Sequence, residues 1–228
     1  VSKDICRPAD QDRKGISIGE AAAFVLIEKP RENKINTSNG KDLFLLGYGE
    51  SSDAYHMSTP HPEGVGAIKA MQSALSVADI NTAQVDYINL HGTATAVNDK
   101  VEDLAISHVF GNSTACSSTK GWTGHTLGAA GAVEAIYSAL CIQNNLLLPS
   151  LNTRQVDTHF KTNILLDKTA RLKPGTLKPG TLQPGTLKPE TLESATKNPK
   201  LNTVASNSFG FGGNNCCLIF GNSESLAI

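Results

Sequence analysis

The chain has 228 residues, 39% of them hydrophobic, enough to bury a substantial core, and this excludes a disordered protein. Twenty basic residues stand against 21 acidic ones, a formal net charge of −1, so no general field draws the chain to nucleic acid or to an anionic membrane, and any anionic ligand has to be met locally. The five cysteines, Cys6, Cys116, Cys141, Cys216 and Cys217, form an odd count without a Cys-x-x-Cys spacing, which argues against a disulfide framework and a zinc site and fits a cytoplasmic protein. No apolar run approaches the length of a membrane span, and Val1 opens the chain without an initiator methionine or signal-peptide core, so the sequence reads as a piece of something longer.

From the N-terminus, the charged, turn-rich stretch Cys6 to Gly15 leads into Ile16 to Glu28, whose second half predicts a buried strand. Polar Pro30 to Lys41 reads as a surface connection, and Leu43 to Gly49 as a second strand. Ser58 to Gly64 is turn chemistry. Apolar Val65, Ile68, Met71, Ala74, Leu75 and Ala78 then predict an amphipathic helix. Val85 to Leu90 predicts a strand that delivers His91-Gly92-Thr93-Ala94-Thr95 at its C-terminal end, the edge at which α/β sheets bind ligands. Asp99 to Phe110 predicts a helix carrying Glu102, and Asn112 to Ser118 leans to β. This alternation of strand and helix predicts an α/β fold.

Ser117 to Gly131 concentrates side chains capable of chemistry, Lys120 and His125 among them, and runs from Leu127 into a helix of small residues ending near Asn145. His125 then precedes a helix N-terminus, whose N–H groups and dipole lower the pKa of an imidazole and favour its neutral form. The bland reading of a lone histidine is a buried structural one, but here two histidines at element junctions accompany a Phe209-Gly210-Phe211-Gly212-Gly213 loop. Glu102 and Lys120 are opposite charges that can pair inside the fold. The glycine-rich loop lacks the lysine of a phosphate-binding loop and precedes a terminal strand, not a helix. Ile164 to Leu166 is a weak strand signal. Leu172 to Thr191 repeats with period five as Leu-Lys-Pro-Gly-Thr and its variants, the composition of an exposed spacer. Val204 to Asn215 regains order, and Cys216 to Phe220 predicts a final apolar strand.

His91-Gly92-Thr93, the block from Lys120 to Gly131, and Asn207 to Asn214, in that order and spacing, resemble the beta-ketoacyl-acyl carrier protein synthases, condensing enzymes of fatty acid and polyketide synthesis with the thiolase-like fold. Upstream, Arg7-Pro8, Asp10, Asp12-Arg13 and Gly19-Glu20 extend the resemblance over the whole chain apart from the repeat. It implies an α/β, thiolase-like C-terminal half with a mixed five-stranded sheet and flanking helices. Residues 1–40 would be the final strand and connection of a missing N-terminal half, and 41–228 the C-terminal domain, with the Pro-Gly repeat inserted at 172–191.

By position, the resemblance implies that His91 and His125 polarise a malonyl thioester carbonyl and support its decarboxylation. Lys120 would fix the surroundings of His125, with Glu102 as its partner. Thr93 and Thr95 would hold the pantetheine arm. Phe211 would gate the acyl pocket and contribute its N–H to an oxyanion hole, with Gly210 and Gly212 in the same loop and Phe209 along the wall. The family's nucleophilic cysteine belongs to the first half, so Cys116, in a string that imitates the nucleophile motif, is read as a decoy. No cofactor is implied beyond the phosphopantetheine that carries the substrates. The implied partners are acyl carrier protein and an N-terminal half or complete synthase, with a homodimer for the full-length enzyme. Two further readings stand beside condensation: a malonyl decarboxylase without a cysteine, and a non-catalytic subunit of a complete synthase. Ala9, where the family commonly has an aromatic, and Ala21-Ala22-Ala23, in place of a glycine-richer string, depart from the pattern.

Overall fold

The computed structural model describes residues 1–29, 42–166 and 200–226. The expected connection at 30–41, the domain boundary at 40 and the Pro-Gly repeat therefore lie outside the described residues. Six strands, β1 (Leu43–Ser52), β2 (Tyr87–Asn89), β3 (Ala115–Ser117), β4 (Asn163–Ile164), β5 (Thr203–Phe209) and β6 (Asn214–Asn222), form one sheet in the order β1-β6-β5-β2-β3-β4. β1, β6 and β5 pair antiparallel, and β5, β2, β3 and β4 pair parallel, so the sheet is mixed, and among the described residues it has one strand more than the five expected. The additional pairing is short: β4 adds a two-residue parallel edge beside β3.

Helices cover both faces of this sheet. Successive strand residues point to opposite sides, so Ile88 and Ala205 face one core while Tyr87 and Val204 face the other. The first core packs under α1 (Val65–Ala78) and α2 (Ala96–Phe110), through Ala70, Met71, Ala74, Ala105 and Ile106. The second packs under α4 (Ala130–Asn144), through Cys141 and Ile142. Small residues on α1 let β1 approach closely. A Cβ on Gly49 would stand 2.6 Å from the Ala74 nitrogen and 2.9 Å from Ser73 Cβ.

The N-terminal residues wrap over the same unit. Buried Asp10 accepts the N–H groups of Asp12 (2.8 Å) and Arg154 (2.7 Å). Arg13 donates to Asp157 at 2.8 Å, lies 3.7 Å from Asp99, and sits 4.9 Å above the centre of the Phe160 ring, a cation–π contact. One expectation fails here. The predicted strand in the second half of Ile16–Glu28 has no secondary structure, and Phe24 and Leu26 are 94% and 85% exposed. A strand needs a neighbour for its N–H and C=O groups, and among the described residues no strand of the sheet pairs with this run. Its lead-in is held instead: Gly19 N–H donates to His125 O (3.0 Å), and His125 N–H donates to Ser17 O (2.7 Å).

Candidate active site

β2 and β5 are parallel, and their C-terminal ends open on one edge of the sheet, where β2 hands the chain to His91 and β5 ends at Phe209. β3 ends beside them and continues through Ser118 and Thr119 into the one-turn helix α3 (Lys120–Thr123), which carries Lys120 and is followed by His125. His125 precedes a 3-10 turn at Leu127–Ala129 that leads into α4, so the helix expected from Leu127 becomes α-helical only at Ala130. The topology thus brings together residues from both histidine motifs and the glycine-rich loop.

The two imidazoles meet edge to face, with ring centres 5.3 Å apart and planes at 81°. Phe209 packs 6.1 Å from His91. Each histidine has its Nδ1 engaged by a donor. Leu127 N–H lies 3.1 Å from His125 Nδ1, and Lys120 Nζ lies 3.4 Å from His91 Nδ1. An amide N–H and an ammonium can only donate, so both rings carry their proton on Nε2 and present it as a donor. Burial, reinforced by the charge of Lys120, holds His91 well below the ordinary histidine pKa and brings His125 down to about 4. The neutral form follows as expected, but burial is the leading cause, not the helix terminus.

Two assignments are corrected. Glu102 does not pair with Lys120: its carboxylate accepts the backbone N–H groups of His91 and Gly92, each at 2.8 Å, and so clamps the loop carrying the first histidine. The anionic partner of Lys120 is Glu134 of α4, and both side chains are buried. Nor is the second histidine the one that Lys120 touches: its ammonium contacts the ring and the carbonyl of His91 and acts on His125 through its charge. Desolvation decides the first of these. α2 packs Glu102 beneath two backbone donors that satisfy it, whereas an unpaired buried ammonium would cost several kcal/mol, about 3–5 when one partner of such a pair is removed. Burial raises the Glu102 carboxyl to about 7 against those two donors, and also raises Glu134 against the pull of Lys120.

Glu134 escaped the sequence reading, yet it left a signal, being the one charged residue of α4. Ser118, also missed, donates to Gly92 O (2.8 Å) and accepts from Lys120 N–H (3.2 Å). Thr93 and Thr95 lie together, their hydroxyl oxygens 2.9 Å apart, with Thr93 buried. The loop after Phe209 folds as a 3-10 turn at Phe211–Gly213, with Phe211 77% exposed. Gly210 N–H donates to Asn214 O (2.7 Å), and Gly212, at φ +81°, donates to Met57 O (2.8 Å).

All five cysteines are among the described residues, and burial raises every one of their thiols, Cys6 to about 11 and Cys141 to about 12. Cys116 is wholly buried in β3, and its Sγ donates to Thr114 O at 3.1 Å. Among the described residues no group of three or more His, Cys, Asp or Glu could hold a metal ion, and no helix is long and apolar enough to cross a membrane.

A mixed sheet between helices, with paired neutral histidines at its C-terminal edge, defines a domain of the thiolase-like condensing-enzyme class. Residues 44–154 match the family described as beta-ketoacyl synthase, C-terminal domain, and the chain belongs to the beta-ketoacyl synthase family. It is 38% identical over 218 residues to 3-oxoacyl-[acyl-carrier-protein] synthase 2 of Rhizobium meliloti, an alignment covering 93% of this chain and 44% of that one. It is also 38% identical over 225 residues to the mitochondrial 3-oxoacyl-[acyl-carrier-protein] synthase of Arabidopsis thaliana, covering 96% and 42%. Among solved structures, the complex of a ketosynthase with its chain length factor from Xenorhabdus doucetiae superposes with a TM-score of 0.72 at 40% identity, over 98% of this chain and 47% of that chain. The chain spans about half the length of the curated relatives it matches.

Proposed function

We propose that this chain is the C-terminal part of a 3-oxoacyl-acyl carrier protein synthase, and that it supplies the groups that decarboxylate a malonyl thioester and hold the resulting enolate. The observation that carries this reading is the histidine pair: two neutral rings, 5.3 Å between centres, each with Nδ1 occupied and Nε2–H available. As carbon dioxide leaves, the electron pair of the broken C–C bond moves into the enolate, and negative charge grows on the thioester oxygen. Two donors set in place beforehand stabilise that charge without reorganising. The enolate carbon then attacks an acyl thioester, forming the new C–C bond and expelling thiolate.

That acyl thioester is expected on a cysteine outside this chain, since burial raises all five thiols here and a raised thiol is a poor nucleophile. Thr93 and Thr95 are proposed to hold the pantetheine arm, and Phe209 and Phe211 to border the acyl group. Acyl carrier protein and a cysteine-bearing N-terminal half are the proposed partners. The test is to incubate the chain with malonyl carrier protein, alone and with a separately expressed N-terminal half, following carbon dioxide and 3-oxoacyl product. Condensation only in the mixture, lost in His91→Ala and His125→Ala, is the expected result. Condensation by the chain alone would refute the division of labour. Carbon dioxide release without any dependence on the second half would favour a decarboxylase instead.

A further inference from the structure

Ser118 lies between the two segments that carry the histidine site, and it is fully buried. One atom makes both connections: Oγ donates to Gly92 O, next to His91, and accepts from the N–H of Lys120. A hydroxyl has one proton to give and lone pairs to receive, so this pairing spends its donor on one segment and an acceptor position on the other. Ser118 is itself fixed from outside the site, because its backbone N–H donates to Ser150 Oγ at 3.1 Å. The neighbouring strands are tied in the same place, Leu90 N–H donating to Ser117 O at 2.8 Å.

No slack separates the two segments. Gly92 has φ +40°, and a Cβ there would lie 2.7 Å from Ser118 Oγ and inside the van der Waals shell of Ser118 Cβ. The serine side chain therefore seats directly on the backbone that follows His91 and sets how near the Lys120 turn comes to it. That approach sets the backbone from which the ammonium of Lys120, also held by Glu134 and by His91 O, reaches to 3.4 Å from His91 Nδ1, and the ammonium keeps the ring proton on Nε2.

We propose that Ser118 is a positioning residue that selects the Nε2–H tautomer of His91 by holding Lys120 against Nδ1. The inference rests on the donor role proposed for the histidines, but it fails separately from it. His125 serves as an internal reference, since its Nδ1 is held by Leu127 N–H, which Ser118 does not touch.

The test reads both rings in the full chain labelled with 15N-histidine, by long-range 1H–15N correlation at neutral pH, for the wild type, Ser118→Ala, Ser118→Cys and Ser150→Ala. In the wild type both rings are expected as single Nε2–H tautomers; a His91 or His125 proton on Nδ1 would sink the proposed function itself. In Ser118→Ala, His91 is expected to lose the single signature and to show an Nδ1–H form, while His125 stays unchanged. Ser118→Cys, which keeps a side chain of similar shape with a weaker donor, is expected to fall between. Ser150→Ala, which removes only a bond to the Ser118 backbone, is expected to lower the unfolding midpoint without altering the His91 tautomer. A folded Ser118→Ala chain with an unchanged His91 signature would overturn the proposal. If that variant does not fold, an unchanged signature in Ser118→Cys does the same, and failure of both to fold also counts against it, placing Ser118 in the folding of the sheet edge instead.

Discussion

The most demanding residue in this molecule is Lys120, an ammonium buried to 1% exposure with Glu134 as its counter-charge. Glu134→Gln leaves that charge without an anion, and the expected loss is about 3–5 kcal/mol in denaturant unfolding, with much of it recovered in the double variant Lys120→Met, Glu134→Gln. Failure of the double variant to recover would mean that Glu134 acts by shape, not charge. The histidines give a pH dependence. His125 has a folded pKa of about 4, below the ordinary 6.5, so the unfolded chain binds its proton first as pH falls. Its contribution is fully present above about pH 6.5 and is lost as pH drops from there toward 4. Glu102, raised to about 7, works oppositely: its contribution is present below about pH 4.5 and fades as pH rises through 7. The difference in stability between wild type and His125→Asn isolates the first effect, and it is expected to shrink as the pH of the measurement is lowered from 7 to 4.

At the scale of elements, the sheet was legible wherever pattern and partner coincide. β1, α1, β2, α2 and β6 arise close to where alternation and helical spacing predict them, because each buries its apolar face within this chain. Ala21 to Ile27 carries an equally strong strand pattern and forms none, since strand identity is conferred by a neighbouring ladder that the described residues do not supply. The pairing of Lys120 was misread for a related reason. Glu134 is the one acid of α4, whereas Glu102 shares α2 with Asp99 and Asp103, and only the packing of α4 across the sheet from α2 decides which helix reaches the lysine. Two substitutions separate these cases. Gly49→Val drives a branched side chain into the backbone of α1 and is expected to cost about 1–3 kcal/mol or more. Phe24→Ser with Leu26→Ser, at 94% and 85% exposure, is expected to shift stability by less than about 0.5 kcal/mol in this chain. A large loss in the second pair would show that the run is already packed.

For the whole molecule, the family and the fold were legible in three short motifs, whereas the wiring beneath the site was not, because Ser118, Ser150 and Glu134 act through backbone atoms and burial that no spacing reveals. The period-five repeat offers a whole-chain prediction from its sequence and from its anchors. Leu166 is bridged to Ser150 on one side, and Leu201 N–H donates to Asn145 Oδ1 at 2.6 Å on the other. Loop closure costs only about 0.6 kcal/mol per doubling of length, so deleting Leu177 to Thr191 is expected to leave the melting temperature nearly unchanged. A drop of many degrees would make the repeat part of the core.

The hydrogen bonds between Ser17–Gly19 and His125 have a mechanical meaning. The same backbone that grips this histidine runs, five residues past Gly19, into the solvent-facing Phe24. His125 is therefore moored by a rope that leads straight into a greasy, solvent-facing stretch. Whatever docks on that stretch pulls first on the mooring of a ring proposed to hold the enolate.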